Sequence, residues 1–246
     1  MTLISDVDTP STQFVGVSFD KFLRWADYSW EPGKHLAFVG PTGEGKSTFA
    51  GHLLRRRKWV LALDPKGEDE TLSDSGFLRV TKLPLPGRIR NEIAEGLPAR
   101  LIIGGSSRSD SEQNALRTLM GQAVKMCREQ GGWTIYADEF QVLSDLRMFG
   151  LGKKIEELLI TARRHRTSVV TAFQAPAWVP RAATRQAWGT AIWPTRDIAC
   201  IKSVAETMGR PWHDLRDAVH TLPPFHIIFI PKSVHAPMII TSPPKL

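Results

Sequence analysis

The sequence predicts an α/β layered domain with a mostly parallel central sheet. Three observations carry that prediction. Short apolar runs alternate with longer amphipathic stretches along the chain. A glycine-rich loop at residues 40–47 joins one such run to a helix-like segment. A continuous apolar run at 133–137 has the pattern of a strand covered on both faces.

Taken in order, residues 1–34 are expected to form an N-terminal extension packing on the core, and 35–246 a single domain ending in short edge strands. Residues 35–39 read as a strand closed by Gly40. Residues 46–57 read as a helix with Phe49, Leu53 and Leu54 on one side. A second strand at 59–63 ends in Asp64-Pro65. Residues 68–100 carry turn signals and the prolines Pro84, Pro86 and Pro98, so they are expected to be irregular, with one strand at 77–81. A third strand at 101–103 stops at Gly104-Gly105. Residues 111–130 form a long helix, with Leu116, Leu119, Met120, Ala123 and Val124 at helical spacing and Gly131-Gly132 as its end. After the strand at 133–137 come a helix at 153–164, strands at 168–173 and 189–193, and a helix at 198–208. Short strands at 225–230 and 237–241 follow, whose flanking prolines suit a sheet edge. Trp133 and Trp193 are expected in the sheet core.

Composition bounds the function. The 246 residues suit one domain with a large core. Hydrophobic residues make up 42% and charged residues 23%, an ordinary globular balance that argues against long disorder. The net charge is +7. Residues 1–140 hold 18 basic and 18 acidic side chains, so the whole excess lies in the last 106 residues. Cys127 and Cys200 are far apart and without a histidine at ligand spacing, which argues against a disulfide scaffold and a cysteine-rich zinc site. The apolar runs fall well short of the ~20 residues of a spanning helix, and residues 1–8 lack a secretory pattern. A soluble cytoplasmic protein without membrane insertion is expected.

The sharpest motif is Gly40-Pro41-Thr42-Gly43-Glu44-Gly45-Lys46-Ser47, which fits the phosphate-binding pattern G-x-x-x-x-G-K-[ST]. The glycines let backbone N–H groups converge on phosphate oxygens, and the following helix adds a partial positive charge. Lys46 is expected to reach the β and γ phosphates of ATP, Ser47 to ligate Mg2+, and Thr48 to complete the nucleotide-binding set. Ninety-two residues after Lys46, the strand at 133–137 ends in Asp138-Glu139. Asp138 is expected to hold Mg2+ through water, and Glu139 to orient and activate the attacking water.

Other nucleotide-binding classes fit less well. Asp64-Pro65-Lys66-Gly67 matches a GTPase D-x-x-G by letters but lies only 18 residues after Lys46, and no N-K-x-D occurs. The L-S-G-G-Q signature of transporter ATPases is missing, and small-molecule kinases usually lack the paired Asp-Glu.

Four blocks in order then resemble the HerA/FtsK superfamily of DNA-pumping ATPases. They are the loop at 40–47, Asp64-Pro65-Lys66-Gly67-Glu68, Asp138-Glu139-Phe140, and the stretch from Ala162-Arg163-Arg164 to Thr171-Ala172-Phe173-Gln174-Ala175-Pro176. In the last block Thr171 and Gln174 are separated by two residues, unlike the family's T-Q-x-P. Leu222-Pro223-Pro224 is a further echo. The resemblance implies a three-layer RecA-like core of the additional-strand, catalytic-glutamate kind, working as a homo-oligomeric ring of five or six subunits. It also implies that Gln174 is the polar sensor on the strand between the two phosphate-site strands. One of Arg163, Arg164 and Arg166, with Arg164 favoured, would reach a neighbouring subunit's γ-phosphate. Lys66 either faces the same crevice or sits in a solvated turn.

Arg147, Lys153 and Lys154 flank Gly150-Leu151-Gly152 after the Asp-Glu strand, where a mobile basic loop would grip DNA phosphates without reading bases. Arg55-Arg56-Arg57-Lys58 ends the loop's helix and reads as structural first. The expected function is an ATP-driven double-stranded DNA translocase, resembling most closely the small viral genome-packaging ATPases, with a portal or capsid-vertex protein as a possible dock. The alternatives are an ATPase for virion or protein export without a DNA grip, a plasmid or chromosome DNA-transfer ATPase of the same superfamily, and a slow nucleotide-switched binding module. Turnover with and without DNA separates the motors from the other two.

Overall fold

The computed structural model describes residues 13–67, 70–105 and 109–244, without the side chains of Ala162 and Arg163. Residues 1–12 of the expected N-terminal extension and Glu68 of the second motif block lie outside the described residues.

The described chain opens with β1 (Phe14–Gly16) and α1 (Phe19–Ser29), then β2 (His35–Val39), whose end leads through the glycine-rich loop into α2 (Lys46–Leu54). Next come β3 (Trp59–Asp64), α3 (Glu70–Asp74), β4 (Leu78–Arg79), α4 (Gly87–Ala94), β5 (Ala99–Gly104) and the long α5 (Asp110–Gln130). They are followed by β6 (Trp133–Ala137), α6 (Phe140–Ser144), α7 (Gly152–His165), β7 (Ser168–Phe173), α8 (Ala182–Arg185) and β8 (Ala187–Ile192). The described chain closes with α9 (Ile198–Thr207), α10 (Trp212–Thr221), β9 (Ile227–Pro231) and β10 (Met238–Thr241). No helix among the described residues is long and apolar enough to cross a membrane.

All these strands join one sheet in the order β1-β10-β9-β8-β2-β7-β6-β3-β5-β4. From β8 to β4 every neighbouring pair is parallel, and β9 alone runs against its neighbours β8 and β10. Alternate residues of each strand point to opposite faces, so one strand feeds two cores. Leu36 and Phe38 of β2 pack with Phe19 and Phe22 of α1 and with Phe49 and Leu53 of α2. Ala37 and Val39 face the other way, toward the layer of α5, α7, α9 and α10, with Val124, Leu158, Val204 and Leu215 among its buried residues. The result is the three-layer α/β/α arrangement expected. Trp133 and Trp193 are fully buried, Trp193 edge-on to Phe38 and Phe49.

Local chemistry explains the boundaries of α5. The Ser109 hydroxyl accepts from the Glu112 backbone N–H at 3.2 Å, and Gly131 ends the helix at φ +69°. The stretch predicted irregular differs from expectation. It contains the helices α3 and α4, and its strand shrinks to Leu78–Arg79. Each of these helices buries one side chain, Leu72 or Ile89, so neither has a periodic apolar face to read. The sheet edge also differs. The two final strands are not outermost, because β1 pairs in parallel with β10, placing Phe14 opposite Met238. Among the described residues both sheet edges are thus the shortest strands, β1 of three residues and β4 of two.

The basic cluster after α2 is tied into the fold. Arg56 pairs with Asp27 of α1, and Arg55 Nε donates to the Ser75 carbonyl at 3.3 Å. Arg57 donates to the Trp30 carbonyl at 2.7 Å, to Thr134 Oγ1 at 3.0 Å and to Ser168 Oγ at 3.2 Å. Its guanidinium carbon lies 4.4 Å from the centre of the Trp30 ring. Burial pushes the Arg57 guanidinium down to about 10, with Asp27 partly offsetting it. Arg57 therefore joins the ends of α1 and α2 to the starts of β6 and β7. Arg57→Ala is expected to lower the free energy of unfolding by about 3 kcal/mol, since it strands partly buried acceptors as well as removing charged hydrogen bonds. Urea denaturation of the variant and the parent reads this directly, and a loss below ~1 kcal/mol would contradict it.

Candidate functional site

Three adjacent parallel strands, β2, β7 and β6, end at the same side of the sheet. Val39 lies opposite Phe173, and Ala137 opposite Thr171. Gly40, Gln174 and Asp138 therefore leave the sheet together, where open α/β sheets bind their ligands. The strand bearing Gln174 lies between the other two, as the resemblance implied.

These ends surround a cavity of about 260 Å³. The glycine-rich loop contributes Thr42, Gly43, Gly45, Lys46, Ser47 and Thr48 to its lining. Asp138, Glu139 and Gln174 face it from the other two strands. Gly40 instead packs against Trp193, and Pro41 and Glu44 face a neighbouring hollow with Arg196 and His220.

Gly43 and Gly45 adopt φ +86° and +89°, a region costly for any residue with a Cβ. Gly45 precedes α2 with no side-chain cap, so the helix's first N–H groups are directed at the cavity for an anion to satisfy. Lys46 Nζ donates to the carbonyls of Gly40 at 2.9 Å and Pro41 at 2.6 Å. Burial lowers its pKa from the usual lysine value, while Asp138, Glu139 and Glu44 raise it in part. Gln174 Nε2 donates to Thr42 Oγ1 at 3.0 Å, which ties the tip of the loop to the end of β7.

The acidic pair is held from both sides. The Tyr136 hydroxyl donates to Asp138 Oδ1 at 3.0 Å. Glu139 begins α6 at φ +43°, a strained conformation for a glutamate, which is common where a side chain must be aimed at a site. Lys66 Nζ lies 2.6 Å from Glu139 Oε1, while Lys66 itself stays exposed in the turn after β3 and outside the lining of the cavity. The turn carrying Lys66 is fixed by Asp64, whose Oδ1 accepts from the Gly67 N–H at 2.8 Å and whose Oδ2 lies 3.8 Å from Arg79. Gly104 makes room for that turn, since a Cβ there would lie 2.3 Å from the Asp64 carbonyl oxygen.

Arg164 and Arg166 are exposed at the end of α7, beside the start of β7 and at the opposite end of the sheet from the cavity. The side chain of Arg163 lies outside the described residues. Arg147, Lys153 and Lys154 are exposed and near the carboxyl ends of the strands. Their segment is not the loose loop expected. Asp145 O accepts from the N–H groups of Met148, Phe149 and Gly150, Leu151 N–H donates to Leu143 O, and Phe149 and Leu151 are buried. The apolar anchors were in the sequence, but their burial depends on α5, far away along the chain.

Sequence reasoning missed three contributors. Tyr136 was legible, because it precedes Asp138 by two residues in a strand and so shares its face. Thr71 and Gln141 line the cavity from α3 and α6, short helices without a periodic signal.

No family model matches the chain, and no curated protein matches it in sequence. Solved structures do. The genome packaging NTPase B204 of Sulfolobus turreted icosahedral virus 2, in complex with ATP-γS, superposes with TM-score 0.58 at 16% identity, covering 86% of this chain and 98% of that one. B204 of Sulfolobus turreted icosahedral virus, a DNA-packaging ATPase, gives TM-score 0.60 at 15% identity over 87% of this chain and 99% of that one. VirB4 of Thermoanaerobacter pseudethanolicus gives 0.61 at 10% identity, over 86% and 89%. At these identities the likeness establishes the fold, which is that of the P-loop NTPases.

Proposed function

We propose that this chain is a HerA/FtsK-type ATPase that drives double-stranded DNA, as the genome-packaging motor of a virus or phage acting in a ring. The carrying observation is the single cavity that brings Lys46 and Ser47, Asp138 and Glu139, and Gln174 to the ends of three neighbouring strands. The likeness to two viral packaging ATPases supports the choice of cargo.

In this reading the α2 N-terminus and Lys46 take the phosphates, with Lys46 exchanging its two carbonyl partners for phosphate oxygens. The donor set suits Mg2+: the Ser47 hydroxyl and the Asp138 carboxylate are hard oxygens beside the phosphate position, and Tyr136 orients the carboxylate. When bound, the ion would draw charge from the phosphate oxygens. Glu139 accepts the proton of the attacking water, and Lys66 on Oε1 keeps its carboxylate aimed into the cavity. Gln174 can donate to a γ-phosphate oxygen and accept from the same water. An arginine at the end of α7, with Arg164 favoured, would serve a neighbouring copy, since it stands at the far end of its own sheet. Arg147, Lys153 and Lys154 would hold DNA through its phosphates, and a portal or capsid-vertex protein would supply the dock.

ATP hydrolysis is expected to be stimulated by double-stranded DNA at low salt, and the stimulation to fall steeply between about 50 and 200 mM salt as counterions compete for the phosphates. Steady-state turnover with and without duplex across that series tests it. A competent oligomer that hydrolyses ATP with no response to any DNA would favour the export reading, in which the same ATPase lacks a DNA grip.

A further inference from the structure

We infer that Phe225 is the stacking platform for the base of the nucleotide held by the glycine-rich loop. The inference rests on the nucleotide reading of that loop and names the part of the ligand that the phosphate machinery does not touch.

Phe225 lies in the connection between α10 and β9, and it belongs to neither hydrophobic core. The residue is 52% exposed. Its backbone adopts φ +63°, which places a bulky aromatic residue in the left-handed region at a real steric cost. Three contacts keep it there. His226 N–H donates to the Pro223 carbonyl at 3.2 Å, His226 Nδ1 lies 3.1 Å from the Pro224 carbonyl oxygen, and Ser242 Oγ donates to the Phe225 carbonyl at 3.2 Å. An exposed ring in a strained conformation secured on both sides is not explained by packing.

The ring's position supplies the explanation. Its Cδ1 lies 3.5 Å from the point where a Cβ on Gly45 would sit, so the ring stands against the last glycine before α2. Gly45 lines the phosphate cavity, and α2 begins at the next residue. A nucleotide whose phosphates occupy the helix N-terminus must project its sugar and base away from that point, out of the sheet. Phe225 offers a flat apolar face beside the exit. A base carries a π-face whatever its edge, so stacking there is tolerant of base identity and selects nucleoside polyphosphates over bare polyphosphate.

The test compares ATP-γS with inorganic tripolyphosphate, both with Mg2+, by titration calorimetry on the parent, Phe225→Gly and Phe225→Tyr. Glycine suits φ +63° without strain, so Phe225→Gly should melt no lower than the parent, and it removes only the ring. Its ATP-γS affinity is expected to fall roughly 5- to 150-fold, the range measured for aromatic–base stacking. Tripolyphosphate affinity should not change, and Phe225→Tyr should restore ATP-γS binding. Unchanged ATP-γS affinity in Phe225→Gly, or an equal loss for both ligands, would overturn the inference while leaving the nucleotide reading intact. A parent protein that binds neither ligand would overturn both.

Discussion

Glu139→Gln is expected to lower ATP turnover about 10³-fold while ATP binding persists. Glutamine has the shape of glutamate and occupies the same backbone conformation, so the φ +43° start of α6 and the cavity wall survive. What it loses is the ability to take a proton. The substitution also removes the ion pair with Lys66, but that pair stands between side chains that are half-exposed and partly buried, where its weight on stability is small. Binding should persist because, in the proposed function, α2 and Lys46 hold the phosphates from the other side of the cavity. Single-turnover hydrolysis and ATP-γS binding, measured on one preparation, separate the two effects. Turnover within ten-fold of the parent would remove Glu139 from the role of base.

Lys46→Ala is expected to act on the earlier step. ATP affinity should fall about 10²- to 10³-fold, and turnover should vanish at ordinary ATP concentrations, because a partly buried charge-assisted contact to phosphate is lost. Two further consequences follow from the geometry. The carbonyls of Gly40 and Pro41 lose the donor that gathers them, so the start of the loop loosens. The carboxylates of Asp138 and Glu139 lose a neighbouring positive charge. Equilibrium binding of ATP-γS checks the first effect and thermal melting checks that the fold persists. Affinity equal to the parent's would place the phosphates elsewhere.

Both variants fall on the part of the cavity that is readable in the sequence. Motifs whose chemistry is local were legible. The loop at 40–47 carries its own glycines, lysine and hydroxyl, and Asp138-Glu139 follow a strand whose five residues are all buried. The parallel sheet and the two helical layers were legible for the same reason, since β2, β6 and β7 match the expected apolar runs residue for residue. Contributions that depend on distant partners were harder to see. The pairing of Lys66 with Glu139 could not be read until β3 and β6 were known to be neighbours. The strand β1 exists because β10 is there to receive it, and three residues alone carry no such information. By contrast, α1 was visible in principle. Phe19, Phe22 and Ala26 repeat at helical spacing, but they lie in a segment treated as an extension. Phe225 was expected to open a strand at 225–230, but β9 starts at Ile227, and the φ value of Phe225 and its closeness to Gly45 arise only when this segment folds back beside α2.

The short strands at the two sheet margins bear on how copies of this chain can meet. A long exposed margin presents a row of unpaired N–H and C=O groups, which invites a second chain to add its own strand and so to aggregate. Here β1 spans three residues and β4 two, which leaves little backbone at either margin for a stranger to pair with. Among the described residues, self-association by continuing the β-ladder is thereby discouraged. Assembly is left to side chains on helices and loops, whose chemistry can be specific to a partner in a way that backbone hydrogen bonds are not.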